Sequence, residues 1–172
     1  MSGQNERETI SRTIEISSIQ PEGARFVIEP TADERAAIAE RLATPSIDRL
    51  TGDFLVTPVR GGAEVTLRLK AAAGRICVAS LEPMTEEIDE EIRMRFDRSF
   101  NQDTEEEDGD GLLREPLDGD EIDLGELLVQ HLSLSLAPYP RKEGADSLAQ
   151  KYCDAASTSP FDALKGLASR ES

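Results

Sequence analysis

Residues 47–70 read IDRLTGDFLVTPVRGGAEVTLRLK, and their pattern decides the fold class. Two runs rich in β-formers flank Gly61-Gly62. Both glycines accept positive φ freely, so the pair marks a tight turn. After it, Val65, Leu67 and Leu69 alternate with Glu64, Thr66, Arg68 and Lys70. A period of two gives a strand one apolar and one wet face, so the stretch predicts a β-hairpin. The strand resumes through 74–79, GRICVA, and 81–84, LEPM, reads as a turn.

Residues 85–100 carry two periods. Ile88 and Ile92, four apart, suit a helix, whereas Ile92, Met94 and Phe96, two apart, suit a strand. A hairpin partner following a turn is the simplest topology, so the strand is preferred. It places Arg93 and Arg95 on the wet face.

On the N-terminal side, residues 9–19, TISRTIEISSI, predict a strand from Ile10, Ile14 and Ile16, and 26–28 form a second apolar run that Pro30 ends. Residues 31–42, TADERAAIAERL, predict a helix. Thr31 and Glu34 make a capping box, and Asp33 and Glu34 suit the positive end of the helix dipole. On the C-terminal side, residues 122–136, IDLGELLVQHLSLSL, place Leu124, Leu127, Leu128, Leu132 and Leu136 at helical spacing, with Asp123 as N-cap and a stop before Pro138. SPFDALKGL at 159–167 predicts a short helix capped by Ser159. The fold class is therefore α+β. An antiparallel β-sheet or partly closed barrel would carry two or three helices and a flexible acidic loop. One domain is expected over 1–172, with disordered segments at 1–8, 101–111 and 141–158.

The 172 residues hold 35 acidic and 19 basic side chains, a formal charge of −16, which disfavours an extended basic nucleic-acid binder. No run approaches the roughly 18 apolar residues of a membrane span. The polar start, MSGQNERETI, does not read as a secretory signal, so a cytoplasmic protein is expected. Two cysteines, Cys77 and Cys153, make no disulfide framework. Most of the charge sits in 103–126. There twelve carboxylates face only Arg114, giving −11 and leaving −5 for the rest of the chain. Residues 101–111 contain nothing apolar to bury, and dense like charge favours an extended chain. Two readings stand: a solvated linker, or a docking site for a basic partner through Glu105, Glu106, Glu107, Asp108 and Asp110.

Chemistry-bearing patterns are sparse. There is no GxxxxGK[ST] and no GxGxxG after a strand. His131, the single histidine, falls beside Gln130 in a polar slot of its helix and reads as a surface or partly buried structural residue. A calcium loop starting at Glu106 fails, because Arg114 and Leu117 occupy its ninth and twelfth positions and the bidentate glutamate is missing. Cys77 is followed at the third position by Ser80, so half a zinc site is absent and Cys77 reads as a small core residue. On paired strands, Arg68, Lys70, Arg93 and Arg95 would share a wet face near Arg75. That face reads either as a mixed charged surface, since Glu64 and Glu91 lie on it, or as a phosphate-contacting patch. Aromatic residues make up 4% and tryptophan is absent, which argues against a base-stacking platform.

The order of these features resembles the YceD family, bacterial proteins implicated in accumulation of large-subunit ribosomal RNA. Three stretches carry the likeness: 75–83, RICVASLEP, similar to a Cys-x-x-Cys-x-x-Pro segment after a hairpin; 121–140, from EIDLGEL to LAPYP; and 159–167. Ser80 departs from that pattern, and no Cys or His follows Pro140 up to residue 152, so no metal role is expected. The resemblance implies a non-enzymatic ribosome-biogenesis factor whose partner is a ribosomal protein or pre-ribosomal particle. Direct ribosomal RNA binding through Arg68, Lys70, Arg93 and Arg95 is the alternative, and a metal-dependent hydrolase is a third reading. No cofactor, membrane or small-molecule substrate is expected.

Overall fold

A computed structural model of the chain describes residues 10–100 and 112–145. The acidic loop expected at 101–111, the helix expected at 159–167 and Cys153 lie outside the described residues. Those described fall into two compact units, one of 10–75, 85–100 and 112–138, and a smaller one of 76–84 and 139–145.

In chain order the elements are β1 (Thr13–Glu15), a 3-10 turn (Ile16–Ser18), β2 (Ala24–Ile28), α1 (Ala32–Arg41), β3 (Ser46–Val59), β4 (Gly62–Ile76), β5 (Pro83–Asp97), β6 (Leu113–Pro116), β7 (Glu121–Asp123) and α2 (Leu124–Ser135). Among the described residues, β2-β3-β4-β5-β6 form a five-stranded sheet and β1 pairs with β7. The α+β class holds. The sheet is mixed where an antiparallel one was expected, because β6 runs parallel to β5, with Met94 opposite Leu113 and Asp97 opposite Pro116. Nor does it close into a barrel, since β2 and β6 remain its edges.

The β3–β4 hairpin forms as its alternation demands. Val59 pairs with Gly62, so Arg60 and Gly61 alone make the loop. The two glycines do different work from the pair of turn residues expected. Gly61 has φ +89, whereas Gly62 is already strand, and a Cβ there would lie 1.8 Å from the Phe96 carbonyl oxygen. β4 is continuous, and the turn falls at 78–80 instead of 81–84. Cys77 N–H donates to the Glu82 carbonyl and Leu81 N–H to the Cys77 carbonyl, both at 2.9 Å, which closes the loop early. Pro83 then opens β5, where a missing N–H costs least. The strand reading of 85–100 holds through Asp97, after which the chain turns.

The N-terminal strand is shorter than expected. After Glu15, Ile16 turns away because its N–H donates to the Asp120 carbonyl at 2.9 Å. α1 has the expected capping box: Glu34 N–H donates to Thr31 Oγ1, and Thr31 N–H to Glu34 Oε2 at 2.8 Å.

The core lies between α2 and one face of the sheet. Phe54 and Val56 of β3, Val65, Leu67 and Leu69 of β4, and Ile88, Met94 and Phe96 of β5 are all buried. A bulge between Ile47 and Arg49 shifts the register, so Ile47 and Leu50 both reach this core. On α2, Leu124, Leu127, Leu128 and Leu132 are buried as their spacing predicts. Gly52 leaves a socket for Leu128: a Cβ at 52 would sit 2.8 Å from Leu128 Cδ1. His131 is buried at 5% exposure, more deeply than expected, with Nε2 2.9 Å from Met94 Sδ. It stands seven residues after Leu124 and three after Leu128, on the same stripe.

Candidate functional site

The outward face of the sheet, formed by alternate residues of β3, β4 and β5, carries a set of charged side chains in solvent or at half exposure. Arg68 Nε lies 2.9 Å from Glu91 Oε2, Lys70 Nζ 3.3 Å from Asp89 Oδ2, and Arg95 3.3 Å from Glu64 Oε1. As the number rises along β4 it falls along β5, so the two strands are antiparallel. Arg49 of β3 reaches Glu87 of β5 at 2.7 Å, and Arg25 of β2 pairs with Asp53 of β3. A bidentate guanidinium holds the Asp53 carboxyl below its ordinary range.

The four cations singled out in the sequence therefore do share a face. Arg68, Lys70 and Arg95 each have a carboxylate partner there. Arg93 ion-pairs with none of the described residues. Glu105, Glu106, Glu107, Asp108 and Asp110 lie outside the described residues.

The motif residues of 121–140 have local duties. Ile122 is buried and pairs with Ile14 across β7 and β1. Asp123 caps α2 by accepting from Gly125 N–H at 2.9 Å and Glu126 N–H at 3.1 Å. It also accepts from Arg12 N–H at 2.8 Å and the Ser11 hydroxyl at 2.7 Å. Burial opposes its charge, but these donors outweigh burial and hold its carboxyl below the usual range. Gly125 sits where this N-terminal segment crosses the helix: a Cβ there would be 2.9 Å from the Ile10 carbonyl oxygen. Asp120 is held by the Ser17 N–H and by Arg98 at 2.7 Å, and Glu126 by Arg41. These carboxylates of the acidic stretch are committed to the fold.

Two charges face inward: Arg75, expected near the wet face of Arg68 and Lys70, turns to the opposite side, and Glu86 meets it there. Arg75 and Glu86 have side chains 14% and 16% exposed and lie 3.5 Å apart. Arg75 donates to the Ala137 carbonyl at 2.6 Å, while Ala137 N–H donates to Glu86 Oε1 at 2.8 Å. The pair grips both main-chain polar groups of Ala137, the residue between the C-cap of α2 and Pro138. Their signal was the strand parity, which turns Arg75 inward with Ala71 and Ala73.

In the smaller unit, Cys77 is fully buried, as expected of a small core residue. Its Sγ accepts from Lys142 N–H at 3.3 Å and Ser80 N–H at 3.4 Å. These bonds, the Lys142 amide first, pull the thiol down to about 6. Val78 N–H donates to the Pro140 carbonyl at 2.9 Å, which ties the proline stretch to the turn. Among the described residues no group of three or more His, Cys, Asp or Glu is arranged to hold a metal ion, and no helix is long and apolar enough to cross a membrane.

Residues 65–168 match the model of the family described as large ribosomal RNA subunit accumulation protein YceD. The chain belongs to the YceD family. The match spans most of β4, the turn after it, the capped leucine helix and the proline pair. That family name implies a role in accumulation of large-subunit ribosomal RNA. No curated protein and no solved structure matches the chain.

Proposed function

We propose that this YceD-family chain supports accumulation of large-subunit ribosomal RNA as a binding factor, with no enzymatic step. It would hold a basic ribosomal protein, or a pre-ribosomal particle that displays one, on its acidic segment, in the cytoplasm. The observation that carries the reading is the distribution of charge. Of the twelve carboxylates in 103–126, Asp120, Asp123 and Glu126 are absorbed by caps and ion pairs. That leaves nine, and the proposed partner-binding role is given to Glu105, Glu106, Glu107, Asp108 and Asp110, which crowd into the stretch with nothing apolar to bury. Such a segment attracts cationic proteins over distances of the order of the Debye length, about 8 Å at physiological salt. Direct RNA binding through Arg68, Lys70, Arg93 and Arg95 is the weaker reading, because three of the four cations already have carboxylate partners.

Deleting 103–110 and titrating large-subunit ribosomal proteins across a salt series tests the proposal. Association should slow by about tenfold or more at low salt and lose most of its salt dependence. Unchanged affinity and salt slope would refute it.

A further inference from the structure

β6 covers only part of the β5 edge. It pairs with Met94–Asp97, and among the described residues no strand lies beside 85–93 on that side. Nine residues of strand span about 30 Å. An edge of that length with no described strand beside it presents a row of main-chain donors and acceptors to an extended segment.

The side chains along it are ordered. Glu87, Asp89 and Glu91 alternate on the outward face, with Arg93 closing the row, and each carboxylate touches a cation from the strands behind: Arg49, Lys70 and Arg68 respectively. Their side chains remain 63%, 74% and 49% exposed, so the ion pairs leave each carboxylate accessible. In these three rows the carboxylate on β5 is the last charge before the edge, with its cation on β4 for Asp89 and Glu91 and on β3, beyond Ala72, for Glu87. Opposite charges on directly facing strand positions attract, and like charges there repel.

We propose that residues 85–93 take up an extended segment of a partner as an added strand, and that this segment carries Lys or Arg at three alternate positions. The inference rests on the reading that the partner is basic, and adds a main-chain docking site to it. A second copy of this chain is the wrong occupant, because edge-to-edge pairing would set carboxylate rows against carboxylate rows in a molecule of charge −16. Residues 103–110, which precede β6 in the chain, hold six carboxylates and would meet the same repulsion.

Three nine-residue peptide probes against the full-length protein test this. The first alternates lysine with threonine and valine. The second is the same peptide N-methylated at alternate amides, and the third has the same composition with its lysines contiguous. The first should bind and protect alternate amides of 85–93 from hydrogen exchange. The other two should bind at least about tenfold more weakly, because main-chain pairing supplies the affinity and alternation the register. The E87K/D89K/E91K variant, with its fold checked by circular dichroism, should weaken the first peptide by about tenfold or more. Deleting 103–110 should leave the ranking of the three peptides intact. Equal binding of all three, protection elsewhere, or dimerisation through 85–93 would overturn the inference. If the deletion abolishes binding and the triple variant does not, the acidic-segment reading stands and this one falls; the reverse result separates them the other way. The N-methylated probe needs no change to the protein, so misfolding cannot mimic its outcome.

Discussion

Replacing Gly125 with alanine sets two effects of opposite sign against each other. Alanine is a better helix former than glycine by about 1 kcal/mol, less in a first turn, so an isolated α2 would gain. The added Cβ, however, would stand 2.9 Å from the Ile10 carbonyl oxygen and 3.1 Å from the Arg12 nitrogen. Both are main-chain atoms, so neither can swing aside as a flexible side chain would. Relief requires residues 10–12 to move off the helix, which stretches two bonds: Leu124 N–H to the Arg12 carbonyl at 3.1 Å, and Arg12 N–H to Asp123 Oδ1 at 2.8 Å. A neutral bond of this kind contributes about 0.5–1.5 kcal/mol and one to a carboxylate about 1.5–3. The loss outweighs the propensity gain, and a net destabilisation of about 1–3 kcal/mol is expected. With a urea slope of about 2 kcal/mol/M, the midpoint should fall by roughly 0.5–1.5 M at unchanged slope. Repeating the substitution in a chain that starts at residue 13 removes the obstruction, and there Gly125→Ala should be neutral or stabilising. A full-length variant as stable as the parent, or the same loss in both chains, would refute the crossing-segment account.

His131 is held below its ordinary pKa chiefly by burial, with Glu115 and Glu90 pulling weakly the other way. The unfolded chain therefore takes up a proton first, and stability should decline as pH falls below about 6.5. His131→Leu should flatten that part of the pH–stability curve, and an unchanged slope would count against a buried neutral imidazole. Cys77, lowered to about 6, should titrate near that pH by thiolate ultraviolet absorbance in a Cys153→Ser background. Its contribution should grow from pH 6 toward 9 and vanish as pH falls through 6; a midpoint above 8 would contradict the amide contacts. Arg75→Leu should cost about 3–5 kcal/mol by stranding Glu86 in a mostly buried site, and the double change R75L/E86L should recover part of that loss. Strict additivity in a double-mutant cycle would show that the two do not act together.

What was readable in the sequence followed periodicity and caps. The alternation at 64–70 and the glycines at 61–62 located the hairpin, and Thr31 with Glu34 and Asp123 located both helix starts. Edges and directions were less legible. The parallel placement of β6 depends on where the chain after Asp97 returns, which no local pattern of LREP encodes. β1 ends early because of a tertiary bond from Ile16 to Asp120, a residue 104 positions away. The shared wet face of Arg68, Lys70, Arg93 and Arg95 was foreseeable from parity, but the pairing of Arg49 with Glu87 across β4 needed the bulge-shifted register of β3. His131 was misjudged by its neighbour Gln130, when its distance from Leu124 and Leu128 was the better guide.

The parallel return of β6 has a consequence for cleavage of the chain. Arg98 N–H donates to the Gly61 carbonyl at 3.0 Å, and Leu117 N–H to the Asp97 carbonyl at 3.0 Å, so the chain is fastened to the sheet on either side of the acidic stretch. The two ends of the intervening segment are thus held together by β5 and β6 themselves, so a single backbone cut within 101–111 should leave β6 bound to β5 by its ladder of main-chain hydrogen bonds.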